Sequence, residues 1–529
     1  MVARIDNING IPTIVINGEP IVEMAYITYR PEYNNYSDFA KAGVRLFSVN
    51  LNFSEMPINE RAPVLVFQKG IFENSEPDFG IVDRNLDQIL NACPDAYIFP
   101  RVNINLPRKW EEDNPLELCE KGFGDRTRFS YASDKWAEDA KKYLAALVSY
   151  VENSKYKERV IGYQIAAGNT EEWLAIDPQS GFGLRASEKF ELYCKENGLA
   201  KNEESYYSFM SETVVSRIVE MAELVKRLTD NNKLVGCFYG YTLFVDRSEC
   251  HNALGKLLDS ESVDFICSPL TYDDYRKPGI DLYPMVPTAS LRRHQKVYFA
   301  ENDIRTHLSR TIHEHPNYTS PIWYCHEKKT AAEQIKLAFC RAMIFGYGMW
   351  WFDMWGGWYD DADYMTLFEK MCRLCRDGMD TPDVDVAVFV DEKSVCAEQQ
   401  ANVLIKSAVR SLGLCGTPYD AYLASDFHGV FEKYKACIFI EPTETPLLAD
   451  CIEHAREASM PVLRICGAAP TEEELRSSLN PLVLTCLQAV PVLYTEGKNI
   501  SPFIPAKMES TIFVTAANVA LPMPSTERK

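Results

Sequence analysis

The sequence is short of positive charge. Lys and Arg number 55 against 75 Asp and Glu, which leaves a net charge of −20. A protein that grips a phosphate backbone needs a basic face, so this balance argues against nucleic acid as a partner and suits a neutral small substrate. Long apolar runs are also missing. None approaches the roughly 20 residues of a membrane span, so no membrane partner is expected. The first residues, Met1-Val-Ala-Arg-Ile-Asp-Asn7, lack the apolar core of a signal peptide, and a cytoplasmic location is expected. There is no internal repeat, no Gly-rich phosphate loop after the first strand and no G-x-S-x-G elbow. These absences argue against a solenoid, a doubly wound nucleotide-binding domain and a serine-type hydrolase.

Cysteine is plentiful, at 16, but scattered through apolar runs such as those of Cys237, Cys267, Cys340 and Cys437. That pattern predicts reduced, buried thiols. Cys372-Arg-Leu-Cys375 has C-x-x-C spacing with no second pair to complete a zinc set, so it reads as two neighbours on one helix face.

What is present is alternation. Asn17-Gly18 between apolar runs predicts a β-hairpin over residues 10–20, placed to plug the bottom of a barrel. Eight apolar strand patterns then alternate with helical ones up to about residue 381, which predicts a (β/α)8 TIM barrel. A loop rich in His, Pro and aromatics is expected over residues 307–328, and loops of that length are usually functional. Pro382 marks a boundary. Residues 382–480 read as a small open α/β domain, with a long helix expected over residues 395–412. Residues 481–529 read as a short β-rich segment.

Each barrel strand ends in polar or aromatic residues of the kinds that bind sugars. Asn50 and Asn52 follow the second strand, and Arg101, Asn103 and Asn105 the third. Asn169, Glu171 and Glu172 follow the fourth, Tyr239 and Tyr241 the fifth, and Ser268 and Tyr272 the sixth. Glu301 and Asp303 follow the seventh, and Trp351, Asp353 and Trp355 the eighth. Asn, Arg and carboxylates suit hydroxyls, and rings suit the flat C–H faces of a pyranose. Alternation along the eighth strand puts Trp351 and Asp353 on one face, taken as the pocket face, and leaves Trp350 or Phe352 to the core.

Glycoside hydrolysis needs two carboxyl groups, one to protonate the leaving oxygen and one to attack the anomeric carbon or activate water. Glu301 closes the apolar run Val297-Tyr-Phe-Ala300, and Asp303 is its competitor. On the fourth strand Glu171 and Glu172 compete, only one being expected to point inward. Glu172 is favoured because Trp173 beside it would line the same subsite. Arg101 or a tyrosine hydroxyl is expected to keep Glu301 ionised. No metal or cofactor is expected. The rival metal set is Asp353, Asp360, Asp361 and the His313-Glu-His315 loop, and a flexible loop makes a poor cage.

With glutamates after strands four and seven of a barrel, the chain resembles the clan of retaining (β/α)8 glycoside hydrolases, and within it a divergent relative of the family 42 β-galactosidases. The opening hairpin, Gly162-Tyr-Gln164 and Val386-Ala-Val-Phe-Val-Asp391 carry the resemblance. It implies a retaining exo-β-glycosidase acting on a terminal β-linked hexose, a flavodoxin-like trimerisation domain and a homotrimer. A β-mannosidase of a related trimeric family and a non-catalytic sugar-binding barrel are the alternatives. One departure stands out. The family places Asn directly before its acid/base Glu, and an ungapped match would put Gly168 at that Glu.

Overall fold

The structure is a computed structural model that describes residues 1–55, 69–119, 128–168, 170–174, 183–276, 280–309, 327–376, 384–415 and 417–479. The 481–529 segment, Asn169 and most of the 307–328 loop, including His313 and His315, lie outside these residues.

Eight barrel strands run parallel. They are Met24–Ile27, Leu46–Phe47 continued by Asn50–Asn52, Tyr97–Ile98 continued by Arg101–Asn103, Gly162–Ala166, Leu234–Phe238, Phe265–Pro269, Val297–Asn302 and Gly348–Phe352. The second and third strands pair at both of their halves, Leu46 with Tyr97 and Asn50 with Arg101. The eighth pairs with the first from Met349↔Met24 to Phe352↔Ile27, which closes the cylinder. Nearly every strand residue is buried, as expected of strands covered on both faces. Helices such as Asp134–Glu152 and Glu203–Leu228 form the outer layer. The first buries Trp136, Ala140, Leu144, Leu147 and Val151 at three- and four-residue spacing, and Ser133 caps its start by accepting from the Trp136 amide.

The predicted hairpin is present, Ile11–Ile16 turning at Asn17-Gly18 into Glu19–Pro20, and a further strand, Ala3–Ile8, pairs on its other side. It closes the end of the barrel where strands begin. The Ala3 amide bonds the Asn232 carbonyl just before the fifth strand. Ile11 packs where a Cβ on Gly346 would otherwise sit, just before the eighth. The opposite end, where strands finish, is left for a site.

The second sheet is parallel. Val386–Val390, Tyr419–Leu423, Ala436–Glu441 and Val462–Cys466 lie in the spatial order 2-1-3-4 of a flavodoxin-like layer. The long helix expected over 395–412 is instead two, Glu392–Ala397 and Ala401–Leu414, broken where Gln400 takes a left-handed φ of +67°. Helix Glu472–Leu479 was not foreseen. The sheet docks on the barrel through Glu392, which is half-buried and accepts from the Leu254 and Gly255 amides at the start of helix Leu254–Leu258. The cysteines behave as expected: all but Cys375 and Cys466 of the described free thiols are buried, and Cys372 rests against Met24.

Glu23 sits beneath the barrel with one oxygen accepting from the Ile14 amide at 2.5 Å. Burial without a cationic partner pushes its carboxyl up to about 8. The folded chain therefore keeps a proton that the unfolded chain has already released, and the stability this group contributes falls as pH rises from about 4.5 through about 8. Glu23→Gln mimics the protonated form. Thermal melts should show it matching the parent at pH 5 and exceeding it at pH 8; equal melting temperatures at both would refute the assignment.

Candidate active site

An aromatic floor lies inside the barrel. Phe99, Phe265, Phe299 and Trp350 meet ring to ring at 5.0–6.4 Å, and Phe238 joins through Trp350. Side chains alternate along a strand, so Glu301 shares the interior face with Phe299, one step nearer the mouth. It is buried, and among the described residues no hydrogen bond reaches its carboxyl.

The loop after the fourth strand supplies the facing carboxyls. Gly168, Thr170, Glu171 and Trp173 all have φ between +55° and +73°. This backbone breaks the in-out alternation, and both glutamates turn inward, contrary to the expectation of one. Glu171 is fully buried. Its oxygens accept from Asn50 at 2.7 Å and Asn103 at 3.0 Å, and one lies 3.0 Å from Arg101 Nε. Arg101 also donates to the Thr170 and Glu171 carbonyls and stacks over the Phe238 ring at 4.4 Å. Asn105 clamps both backbone groups of Gly168. Glu172 is half-buried, and accepts from Tyr241 Oη at 2.8 Å and from Thr170 Oγ1. Thus Asn50, Arg101 and Asn103, expected to hold sugar, hold Glu171 instead.

Gly168 has no room for the glutamate of an ungapped match. A Cβ there would meet Tyr131 Oη at 2.0 Å. Trp173 is not a pocket wall either. It is fully buried, donates to the Ile165 carbonyl at 2.9 Å and stacks on Tyr131.

Other expectations also need correction. Tyr239 points away from the mouth and donates to the Ser211 and Cys250 carbonyls; Gly240, at φ +85°, turns the chain so that Tyr241 takes the inward place. Along the eighth strand the alternation holds but its phase is opposite. Trp350 joins the aromatic floor, and Trp351 packs outward on Tyr359 and Phe368. Asp353 accepts from Tyr26 Oη and the Gly357 and Trp358 amides, which ties down the following loop, and burial pushes its carboxyl up to about 7. This leaves Asp353 poorly placed for the rival metal set, and Asp361 pairs with Lys328 at 2.8 Å. Trp355 stays near the mouth beside Tyr29. Tyr272 donates to Asp303, and Asp303 also binds Arg276 and Arg305.

Tyr29, Arg276, Arg305 and His251 were missed. Tyr29 stands two residues past the first strand and feels the charges of Arg101, Glu171, Glu172 and Glu301. Its signal was available, since an aromatic follows that strand end as at the fifth and eighth. His251 packs on the Tyr239 and Tyr241 rings at 4.5 Å, held neutral because burial lowers it to about 3. No local pattern announced it.

The charges at the mouth are interdependent. Asp303 is held below the usual carboxylate range by its two arginines and Tyr272. Glu301 is pushed well up, first by burial and then by Asp303 and Glu172. Arg101 pulls it back and loses, so the expected depression is not found. Glu172 is raised by burial, against the pull of Thr170, Arg101 and Tyr241. Both carboxyls are thus raised by burial, and Glu172 has hydrogen bonds that oppose the rise where Glu301 has none among the described residues.

No protein-family model and no curated protein matches the chain. Solved structures do. A β-galactosidase from the psychrophilic Marinomonas ef1 aligns with a TM-score of 0.57 at 12% identity, over 87% of this chain and 79% of that one. A β-galactosidase from Bacillus circulans sp. alkalophilus aligns at 0.54 and 13%, over 82% and 70%. An α-L-fucosidase isoenzyme from Paenibacillus thiaminolyticus aligns at 0.51 and 11%, over 84% and 64%. The chain shares the fold of these proteins. At such identity the likeness is one of architecture: a closed parallel barrel followed by an open α/β sheet.

The two adjacent glutamates should separate cleanly by experiment. Removing one partner of a buried ion pair costs about 3–5 kcal/mol, so Glu171→Ala should shift the urea midpoint strongly downward. Glu172→Ala, at a half-buried site, should leave it nearly unchanged. Equal midpoints would show that Glu171 carries no structural load.

Proposed function

We propose that the chain is a retaining exo-β-glycosidase acting on a terminal β-linked hexose, with Glu301 as nucleophile and Glu172 as acid/base. The observation that carries the reading is the meeting of these two carboxyls, from the ends of strands seven and four, above an apolar floor and close enough that the charge of Glu172 raises Glu301. Their settings differ as the roles require. Glu301 is deep, and its carboxyl is unengaged by hydrogen bonds among the described residues. Glu172 is nearer solvent, where an aglycone leaves and water enters.

In the first step a Glu301 oxygen bonds to the anomeric carbon, the glycosidic C–O bond breaks, and the leaving oxygen takes the Glu172 proton. In the second, Glu172 takes a proton from water, the water oxygen bonds to the anomeric carbon and the ester to Glu301 breaks. Turnover needs the proton on Glu172 and the negative charge on Glu301, so substrate binding must favour that arrangement. Tyr29 and Trp355 stand where a pyranose face would rest. Galactose is favoured by the β-galactosidases among the structural neighbours, with mannose the alternative, and a homotrimer belongs to the same reading.

A second reading has a specific observation behind it. Tyr241 bonds Glu172, and burial with the charges of Asp303 and Glu172 raises Glu301 well up, which suits the two roles reversed. A fluorinated glycoside inactivator followed by peptide mass spectrometry decides between them. The sugar is expected on Glu301. An adduct on Glu172 would reverse the roles, and binding with no adduct on either would leave a sugar-binding barrel without catalysis.

Substitution gives a second test. Glu301→Gln should abolish turnover with the melting temperature retained. Glu172→Gln should lower kcat by about 10²–10⁴-fold on substrates with poor leaving groups, and far less where the leaving group needs no proton. Full activity in Glu301→Gln would refute the nucleophile.

A further inference from the structure

Three side chains of the second domain converge outside the barrel: His428, Asp450 and His454. Helix Pro446–Glu457 carries Asp450 and His454 four residues apart, on one face and one turn from each other. His428 comes from the 3-10 turn Ala424–Gly429, which is fixed against that helix because Phe427 beside it is fully buried among Phe389, Phe431 and Phe439. His428 Nε2 lies 2.9 Å from one Asp450 oxygen, and His454 Nδ1 lies 3.3 Å from the other. The two imidazole rings meet edge to face at 4.7 Å. One ligand atom from each residue falls within 4.8 Å of the others.

Two imidazoles and a carboxylate are a donor set that zinc and its late first-row neighbours prefer over magnesium or calcium. Bonds of about 2.0–2.1 Å at tetrahedral angles place ligand atoms roughly 3.3 Å apart; here they lie within 4.8 Å of one another, and a cation would draw them together. His454 Nδ1 also donates to the Asp450 carbonyl at 3.0 Å, so its ring must turn to take a cation, and solvent supplies the fourth position. Glu453 and Glu457, on the same helix, add negative charge that favours a cation beside them.

We propose that His428, Asp450 and His454 form a divalent transition-metal site, zinc by preference, which clips the 424–429 turn to helix Pro446–Glu457. It is a structural site of the second domain, built without any barrel-mouth residue, so it stands or falls apart from the glycosidase reading. Its ligands are half-exposed, with side-chain exposures of 48%, 50% and 49%, so their substitution leaves packing intact.

The test is calorimetric titration of the chelator-treated full chain with zinc ion alone, alongside melts with and without the metal. The wild type is expected to bind about one equivalent saturably and to melt higher when loaded. His428→Ala and His454→Ala should each weaken binding by at least about tenfold and abolish the gain in melting temperature, while melting like the wild type without metal. Absence of saturable binding in the wild type would overturn the proposal. So would undiminished binding in both variants, which would place the metal on other residues.

Discussion

The ion pair between Arg101 and Glu171 is the constraint on which the mouth of this barrel depends. Both side chains are removed from water, and such a pair breaks even only when its remaining donors and acceptors are met. Here Asn50 and Asn103 serve the carboxylate, and the Thr170 and Glu171 carbonyls serve one guanidinium nitrogen, Nη2, while Nη1 has no hydrogen bond among the described residues and the cation rests on the Phe238 ring. Those last bonds close on the very loop that carries Glu171. The pair thereby holds that loop in a left-handed backbone that L-residues adopt at a cost. The loop in turn sets Glu172 within reach of Tyr241. Residues that look like sugar ligands along the strand ends are spent on this scaffold, and the carboxyl next to the scaffold is the one left at the rim.

Acidic groups crowd the mouth, and what distinguishes them is their neighbours rather than their type. Asp303 has two arginines and stays ionised. Asp353 has three neutral donors and no cation among the described residues, so burial raises it. Glu301 lies near Asp303 without its arginines in bonding contact, and receives the repulsion of that charge with little of the compensation. A fixed negative charge beside a buried carboxyl is a device for holding a proton.

The architecture was legible because it depends on patterns that local chemistry dictates. Apolar runs with a polar stop gave eight strands, and Asn17-Gly18 gave a hairpin. The strand ends gave the neighbourhood of the site. What was hidden is phase and contact. Period two says that Trp350 and Trp351 face opposite ways, not which one faces inward; Phe368, on a helix some fifteen residues later, decides that. Tyr239 and Tyr241 obey no simple alternation because Gly240 turns between them, and Glu171 and Glu172 both turn inward because their loop is left-handed. Arg276 lies in a segment with no periodic signal, and it matters only because folding brings it to Asp303.

The upward shift of Glu301 does not count against its attacking role. The setting that raises Glu301 is a low-dielectric floor with Asp303 beside it, and that setting disfavours an isolated negative charge. A glycosyl transition state brings positive charge to the anomeric centre, into that same low-dielectric space. Each carboxylate then gains more than it would in water, and the cost of ionising both is met only while the sugar is changing. A site tuned in this way is reluctant to be charged when empty and strongly attractive to a developing cation. The two properties have one cause, the aromatic ring layer of Phe99, Phe265, Phe299 and Trp350 beneath the carboxyls.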